Sequence, residues 1–193
     1  MIVHTLPLGA YQTNTYIVEN AGNCVIIDPG YEPETILRFL QKNSLTAEAI
    51  FLTHGHFDHV GAVNGLVETL SCPVYIHEAE LSLPPMWTAG PLYHTHTYGE
   101  SDRINAAGLS FKILHTPGHT PGSVCLIVDS TMFSGDTLFA GSCGRTDLPG
   151  GDWATLRRSL MRLAQMENDL TVYPGHGEST FLAQEKRYNP YMQ

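Results

Sequence analysis

The segment Thr53-His54-Gly55-His56-Phe57-Asp58-His59 places three imidazoles and one carboxylate within six residues. Groups of these types, crowded so tightly, can converge only on something cationic, and Gly55 lets the backbone turn sharply enough for them to do so. One tetrahedral ion cannot easily use all four, because alternating residues of so short a loop point in different directions. Two adjacent ions resolve the geometry, with His54 and His56 serving one and Asp58 and His59 the other.

The partners come from further along the chain. His119 lies in Thr116-Pro117-Gly118-His119-Thr120-Pro121-Gly122, Asp136 in Phe133-Ser134-Gly135-Asp136, and His176 in Tyr173-Pro174-Gly175-His176-Gly177. Each follows an apolar, strand-like run and a glycine. Open α/β sheets bind ligands just beyond their strand ends, so four such loops on one edge would surround one cleft with five His and two Asp. Asp136 is the natural bridge, since a carboxylate has two oxygens that can face two ions.

The elements that must hold these loops are read from short apolar runs separated by Gly/Pro turns, which mark an α/β chain. Strands are expected at 2–8, 13–19, 24–27, 49–52, 74–77, 109–115, 123–128, 131–134 and 170–173. The clearest helix is 153–166, with Asp152 as N-cap and a core stripe of Trp153, Leu156, Leu160, Leu163 and Met166. Shorter helices are expected at 32–42, 60–70 and 179–187. The two halves share a loose plan of strands, helix and strands without readable sequence identity.

At 193 residues the chain has the size of a single domain, and 42% hydrophobic with 15% charged residues gives it enough apolar side chain for a core. The formal charge is −9, and no basic run exceeds the pairs Arg157-Arg158 and Lys186-Arg187. That disfavours nucleic acid and anionic membrane surfaces, which need a basic stripe. No run approaches the roughly 20 apolar residues of a membrane helix, and the start lacks a secretory signal, so a cytoplasmic protein is expected. The four cysteines, Cys24, Cys72, Cys125 and Cys143, form no Cys-x-x-Cys pair and read as reduced thiols.

On these residues the chain resembles the metallo-β-lactamase fold superfamily. The signature His-x-His-x-Asp-His is matched by His54, His56, Asp58 and His59, and the later ligands by His119, Asp136 and His176. The resemblance implies a four-layer αβ/βα sandwich of two mixed sheets with helices outside, and a dinuclear metal site at one end. It also places Asp28, in Ile27-Asp28-Pro29-Gly30, where it would orient ligands, although the same residue could simply form the turn. Within the superfamily, the segments 116–122 and Gly141-Ser142-Cys143-Gly144-Arg145-Thr146-Asp147 resemble the glyoxalase II group, hydrolases of S-acylglutathione thioesters. The glutathione-persulfide dioxygenases, which use one iron, share a similar Gly-Arg-Thr-Asp segment. Glyoxalase II enzymes also carry a C-terminal helical domain that helps hold glutathione, whereas this chain runs 17 residues beyond His176.

The implied reaction is attack on a thioester carbonyl by a hydroxide bridging two divalent ions, with Asp58 orienting the attacking oxygen. Zinc is the first expectation for the ions, and nitrogen and oxygen ligands suit iron and manganese too. A thiolate, whose acid has a pKa of about 8.5, leaves without a dedicated acid, unlike an amide nitrogen. Arg145, Lys186 and Arg187 are candidate contacts for the carboxylates of a glutathione-derived substrate, although Arg145 could pair with Asp147, and the two tail residues could form a solvated face. The remaining histidines, His4, His77, His94, His96 and His115, read as ordinary polar residues. The aromatic stretch 83–99 either rims the cleft or covers the core.

Overall fold

The computed structural model describes residues 1–88 and 90–193; Ala89, within the 83–99 stretch, lies outside the described residues. Six strands form a first sheet: β1 (Ile2–Leu8), β2 (Thr13–Asn20), β3 (Asn23–Ile27), β4 (Thr46–Phe51), β5 (Val74–His77) and β6 (His96–Tyr98), in that spatial order. The second half supplies β7 (Arg103–Ala106), β8 (Leu109–His115), β9 (Val124–Val128), β10 (Thr131–Gly135), the small pair β11 (Leu138–Phe139) and β12 (Ser142–Cys143), then β13 (Thr171–Pro174) and β14 (Thr180–Phe181). The second six-stranded sheet runs β14-β13-β10-β9-β8-β7. Helices α1 (Pro33–Lys42), α2 (Phe57–Val60), α3 (Val63–Val67), α4 (Trp153–Ala164) and α5 (Leu182–Tyr188) complete the fold.

Successive strand residues point to opposite faces, so a strand buried on both sides reads as an unbroken apolar run. That is the arrangement here. Tyr16, Val18, Val25, Ile27, Ala49 and Phe51 face the second sheet and meet Phe111, Ile113, Val124, Leu126 and Phe133. Their neighbours Ile17, Cys24, Ile26, Ile50 and Leu52 face outward onto Ile36, Leu40, Val63 and Leu66 of α1 and α3. The other outer layer packs Leu114, Cys125 and Met132 against Leu156, Leu160 and Leu163 of α4. The result is helix, sheet, sheet, helix, the mixed two-sheet α/β sandwich expected.

Strand direction places the chemistry. β3 and β4 are parallel, as are β10 and β13, while β8 is antiparallel to β9 and β9 to β10, so β8 and β10 run the same way. The loops after β4, β8, β10 and β13 carry His54 to His59, His119, Asp136 and His176 in turn. A backbone bond from Val124 N–H to the Thr53 carbonyl, 2.9 Å, ties the two sheets together at that edge.

Several elements differ from expectation. The helix expected at 60–70 forms only over 63–67 as α3, while α2 begins earlier, at Phe57, and ends at Val60; between them the Ala62 N–H is taken by the Pro29 carbonyl at 3.0 Å instead of continuing the helical ladder. The stretch 179–187 begins as strand β14, whose Thr180 and Phe181 pair with Val172 and Thr171. In α4 the Asp152 cap forms, accepting from Thr155 N–H at 2.7 Å, but Trp153 is 44% exposed, its ring 5.9 Å edge-on from Tyr191 rather than in the core. All four cysteines are free thiols, and among the described residues no helix is long and apolar enough to cross a membrane. Leu160, fully buried under the second sheet, makes α4 dependent on tight packing. Leu160→Ala is expected to destabilise the chain by about 2 to 5 kcal/mol in denaturant unfolding; a change below about 0.5 kcal/mol would contradict the packing described.

Candidate metal centre

The seven expected side chains converge: His56, Asp58, His119, Asp136 and His176 line one cavity, and His54 and His59 are buried beside them. His54 and His56 stand on the loop after β4, Asp58 and His59 on α2, and His119, Asp136 and His176 on loops from the second sheet. Donor atoms of His54, His56 and His119 lie within 4.8 Å of one another, and those of Asp58, His59 and His176 do the same. Asp136 stands between the two groups. Its Oδ1 is 3.3 Å from His59 Nε2, while its Oδ2 is 3.5 Å from His119 Nε2 and 3.6 Å from His176 Nε2. Asp58 Oδ2 lies 3.3 Å from His176 Nε2.

The outer nitrogens explain why the inner ones face the cavity. His119 Nδ1 is 2.7 Å from the Arg145 carbonyl and His176 Nδ1 is 3.2 Å from the Tyr11 carbonyl, so in each case an outward N–H fixes the ring and turns Nε2 inward, towards His56 Nδ1 at 2.9 Å for His119 and towards Asp58 for His176. His59 Nδ1 is 3.0 Å from Asp28 Oδ2. Asp28 also accepts from the Thr53 N–H at 2.7 Å and the Thr53 hydroxyl at 2.6 Å, which leaves it engaged as an orienting group although it lies near His54 and His59. Gly175 admits this crowding: a Cβ there would sit 2.2 Å from Asp136 Oδ1 and 2.6 Å from His59 Cε1.

A cation suits these atoms. His54 Nε2, His56 Nε2, His59 Nε2 and Asp136 Oδ1 are buried without a hydrogen-bond partner among the described residues. Such orphans cost free energy unless something satisfies them. Histidine and carboxylate donors, with no thiolate, suit a hydrolytic divalent ion. Burial and the neighbouring imidazoles push His54 well below its ordinary pKa, and burial with His119 takes His56 down to about 4. Both are thus neutral, with lone pairs available. Burial works against His59 being charged, but Asp136 and Asp28 outweigh it and hold its pKa well up. Burial likewise opposes ionisation of Asp58, yet the hydrogen bond from His176 and the charge of His59 hold it at about 2.

Several residues that position the site were not foreseen. The start of β2 holds both the His176 loop and Asp58: the Asn14 side-chain amide donates to the Pro174 and Gly177 carbonyls at 3.0 and 2.9 Å, and the Thr13 hydroxyl to Asp58 Oδ2 at 3.1 Å. The signal was there only as two polar residues, Thr13 and Asn14, opening a buried strand. Arg145 lines the cavity, of about 410 Å³, and forms a two-pronged bond to Asp147 at 2.7 Å. Lys186 and Arg187 do not line it: the Lys186 ammonium donates to the Met166 carbonyl, and Arg187 lies over the Tyr188 ring at 5.2 Å. Both sit on α5, whose packing turns them away from the cleft. Trp87, from the 83–99 stretch, does rim the cavity, 6.5 Å from the His56 ring.

The electrostatics give a pH signature for the chelator-stripped chain. His56 has a folded pKa of about 4, below the unfolded value near 6.5. In that window the unfolded chain takes up a proton that the folded chain refuses, so His56 contributes nothing adverse above about 6.5 and an increasing destabilisation as pH falls towards 4. Ring NMR is expected to show His56 neutral at pH 6; titration near 6.5 would contradict the burial and crowding described.

Comparison with known proteins follows the same lines. The family model described as the metallo-beta-lactamase superfamily matches residues 8–176. The hydroxyacylglutathione hydrolase GloC of Haemophilus influenzae is 34% identical over 208 residues, covering 100% of this chain and 98% of that protein. Among solved structures, the BLEG-1 B3 metallo-beta-lactamase superimposes with a TM-score of 0.92 at 36% identity, covering 99% of each chain. The protein TTHA1623, solved in a di-iron-bound form, gives a TM-score of 0.88 at 42% identity over 98% of this chain and 100% of that one. The fold, the converging His and Asp loops and these matches agree: the chain belongs to the metallo-beta-lactamase superfamily.

Proposed function

We propose that this protein is a metal-dependent hydrolase of S-acylglutathione thioesters that holds two divalent cations. One cation would be held by His54, His56 and His119, the other by Asp58, His59 and His176, with Asp136 between them. The observation that carries the reading is the placement of Asp136, whose Oδ2 lies 3.5 Å from His119 of one ligand group and 3.6 Å from His176 of the other, while its Oδ1 lies 3.3 Å from His59. The full-length similarity to a hydroxyacylglutathione hydrolase supports the thioester.

Bound divalent ions supply Lewis acidity and bring the pKa of water from 15.7 to about 7. The remaining work falls to the protein. Asp58, ionised and lining the cavity, accepts a hydrogen bond from the attacking water and so aims its oxygen at the carbonyl. Thr13 and His176 fix the Asp58 carboxylate from two sides. Phe57, Trp87, Phe139 and Leu148 line the cavity with apolar surface, which limits water around the reacting carbon. Arg145, exchanging Asp147 for substrate, offers a planar guanidinium to a carboxylate of the thiol half. The thiolate departs without needing a proton.

The BLEG-1 match favours β-lactam hydrolysis as a second reading, although an amide nitrogen must be protonated to leave. Three assays side by side separate the alternatives: thiol release from S-lactoylglutathione, opening of a β-lactam, and oxygen uptake with glutathione persulfide. Thiol release is expected, lost on chelation and restored by divalent metal, with Asp58→Asn lowering kcat by about 100-fold or more while KM changes little. Undiminished thiol release after chelation, or oxygen uptake alone, would overturn the proposal.

A further inference from the structure

Glu80 is a carboxyl side chain with no exposure at all, on the 3-10 turn Glu78–Ser82 that follows β5, where burial raises its pKa and the Gly55 and Gly122 amides pull it back down. A buried carboxylate is costly unless its oxygens are hydrogen-bonded, so its partners show why it is there. Oε2 accepts from the Gly55 N–H at 2.5 Å, and Oε1 accepts from the Gly122 N–H at 2.6 Å. Gly55 stands between His54 and His56, and Gly122 closes the turn that begins at His119. One carboxylate therefore joins the two loops that carry all three histidines of one ligand group, although those loops come from different sheets.

The approach is close on both sides. A Cβ on Gly122 would come 2.7 Å from Glu80 Oε1 and 2.8 Å from its Cγ, and a Cβ on Gly55 would come 3.1 Å from Oε2. Glycine at both positions lets two main-chain amides reach the same side chain. The second ligand group is held by other contacts: Asp58 by Thr13, His59 by Asp28, and the His176 loop by Asn14.

We infer that Glu80 is a positioning residue that sets the spacing of His54, His56 and His119 and so tunes cation affinity at that position selectively. The inference rests on the reading of those three histidines as one cation position. An ionised carboxylate can accept from both amides with charge-assisted bonds. Glutamine has nearly the same shape but one acceptor oxygen, so its NH₂ would confront the second glycine N–H.

The test is cobalt(II) titration of the full chain, stripped with a chelator, read by visible absorption and by competition with a chromophoric chelator. Wild-type protein is expected to bind two equivalents. Glu80→Gln is expected to bind one equivalent as tightly as wild type and the other about 10- to 100-fold more weakly. Gly122→Ala, which crowds the same contact with Glu80 left in place, is expected to weaken the same equivalent. Two equivalents at wild-type affinity in Glu80→Gln would overturn the role of Glu80 alone. Equal weakening of both, or loss of the fold in both variants, would make Glu80 a general strut and overturn its selectivity. A wild-type chain that binds no cobalt would overturn the two-cation reading together with this inference.

Discussion

Buried polar atoms without a hydrogen-bond partner, gathered where loops of both sheets meet, organise this molecule. Three imidazole nitrogens and one carboxylate oxygen, on His54, His56, His59 and Asp136, are buried without a hydrogen-bond partner among the described residues. Elsewhere the polar interior is well satisfied. Asp28 is bonded by Thr53 and His59, and Asn14 reaches two carbonyls. The contrast matters because an unmet buried polar group costs about 1 to 3 kcal/mol, and four of them grouped in one place are atoms of a kind that a cation would suit.

The fold meets the demand for convergence by directing strands of both sheets to the same edge. Apolar runs buried on both faces make the sheets rigid, and Phe51 against Phe111, 5.0 Å apart, ties the first to the second beneath the site. The loops above them are then short extensions of a stiff frame. Three contacts between halves set the final geometry: the Thr53 carbonyl on Val124, Asn14 on the His176 loop, and Glu80 between Gly55 and Gly122. A site assembled from both halves in this way cannot form before the two sheets have met.

Much of this was legible in the sequence because both signals are dense and local. Three His and an Asp within six residues identify a cation loop without any neighbour, and runs such as 24–27 and 109–115 show buried strands through composition alone. What stayed hidden depends on distant partners. β6, β7 and β14 are short strands whose identity comes from pairing, and the interruption between α2 and α3 comes from a Pro29 carbonyl more than 30 positions away. Glu80 and Asn14 are single polar residues whose role appears only when the chain brings a glycine amide or a carbonyl to them. Lys186 and Arg187 show the reverse case, since a basic pair in a tail carries no information about which way its helix turns.

Anomalous diffraction from crystals of the metal-loaded protein, collected at the absorption edge of the bound metal, tests the central claim most directly. The account requires two peaks about 3.5 to 4 Å apart, one facing His54, His56 and His119, the other facing Asp58, His59 and His176, with Asp136 between them. No peak at the cavity floor, or a single peak from which Asp136 and one whole ligand group are turned away, would contradict it.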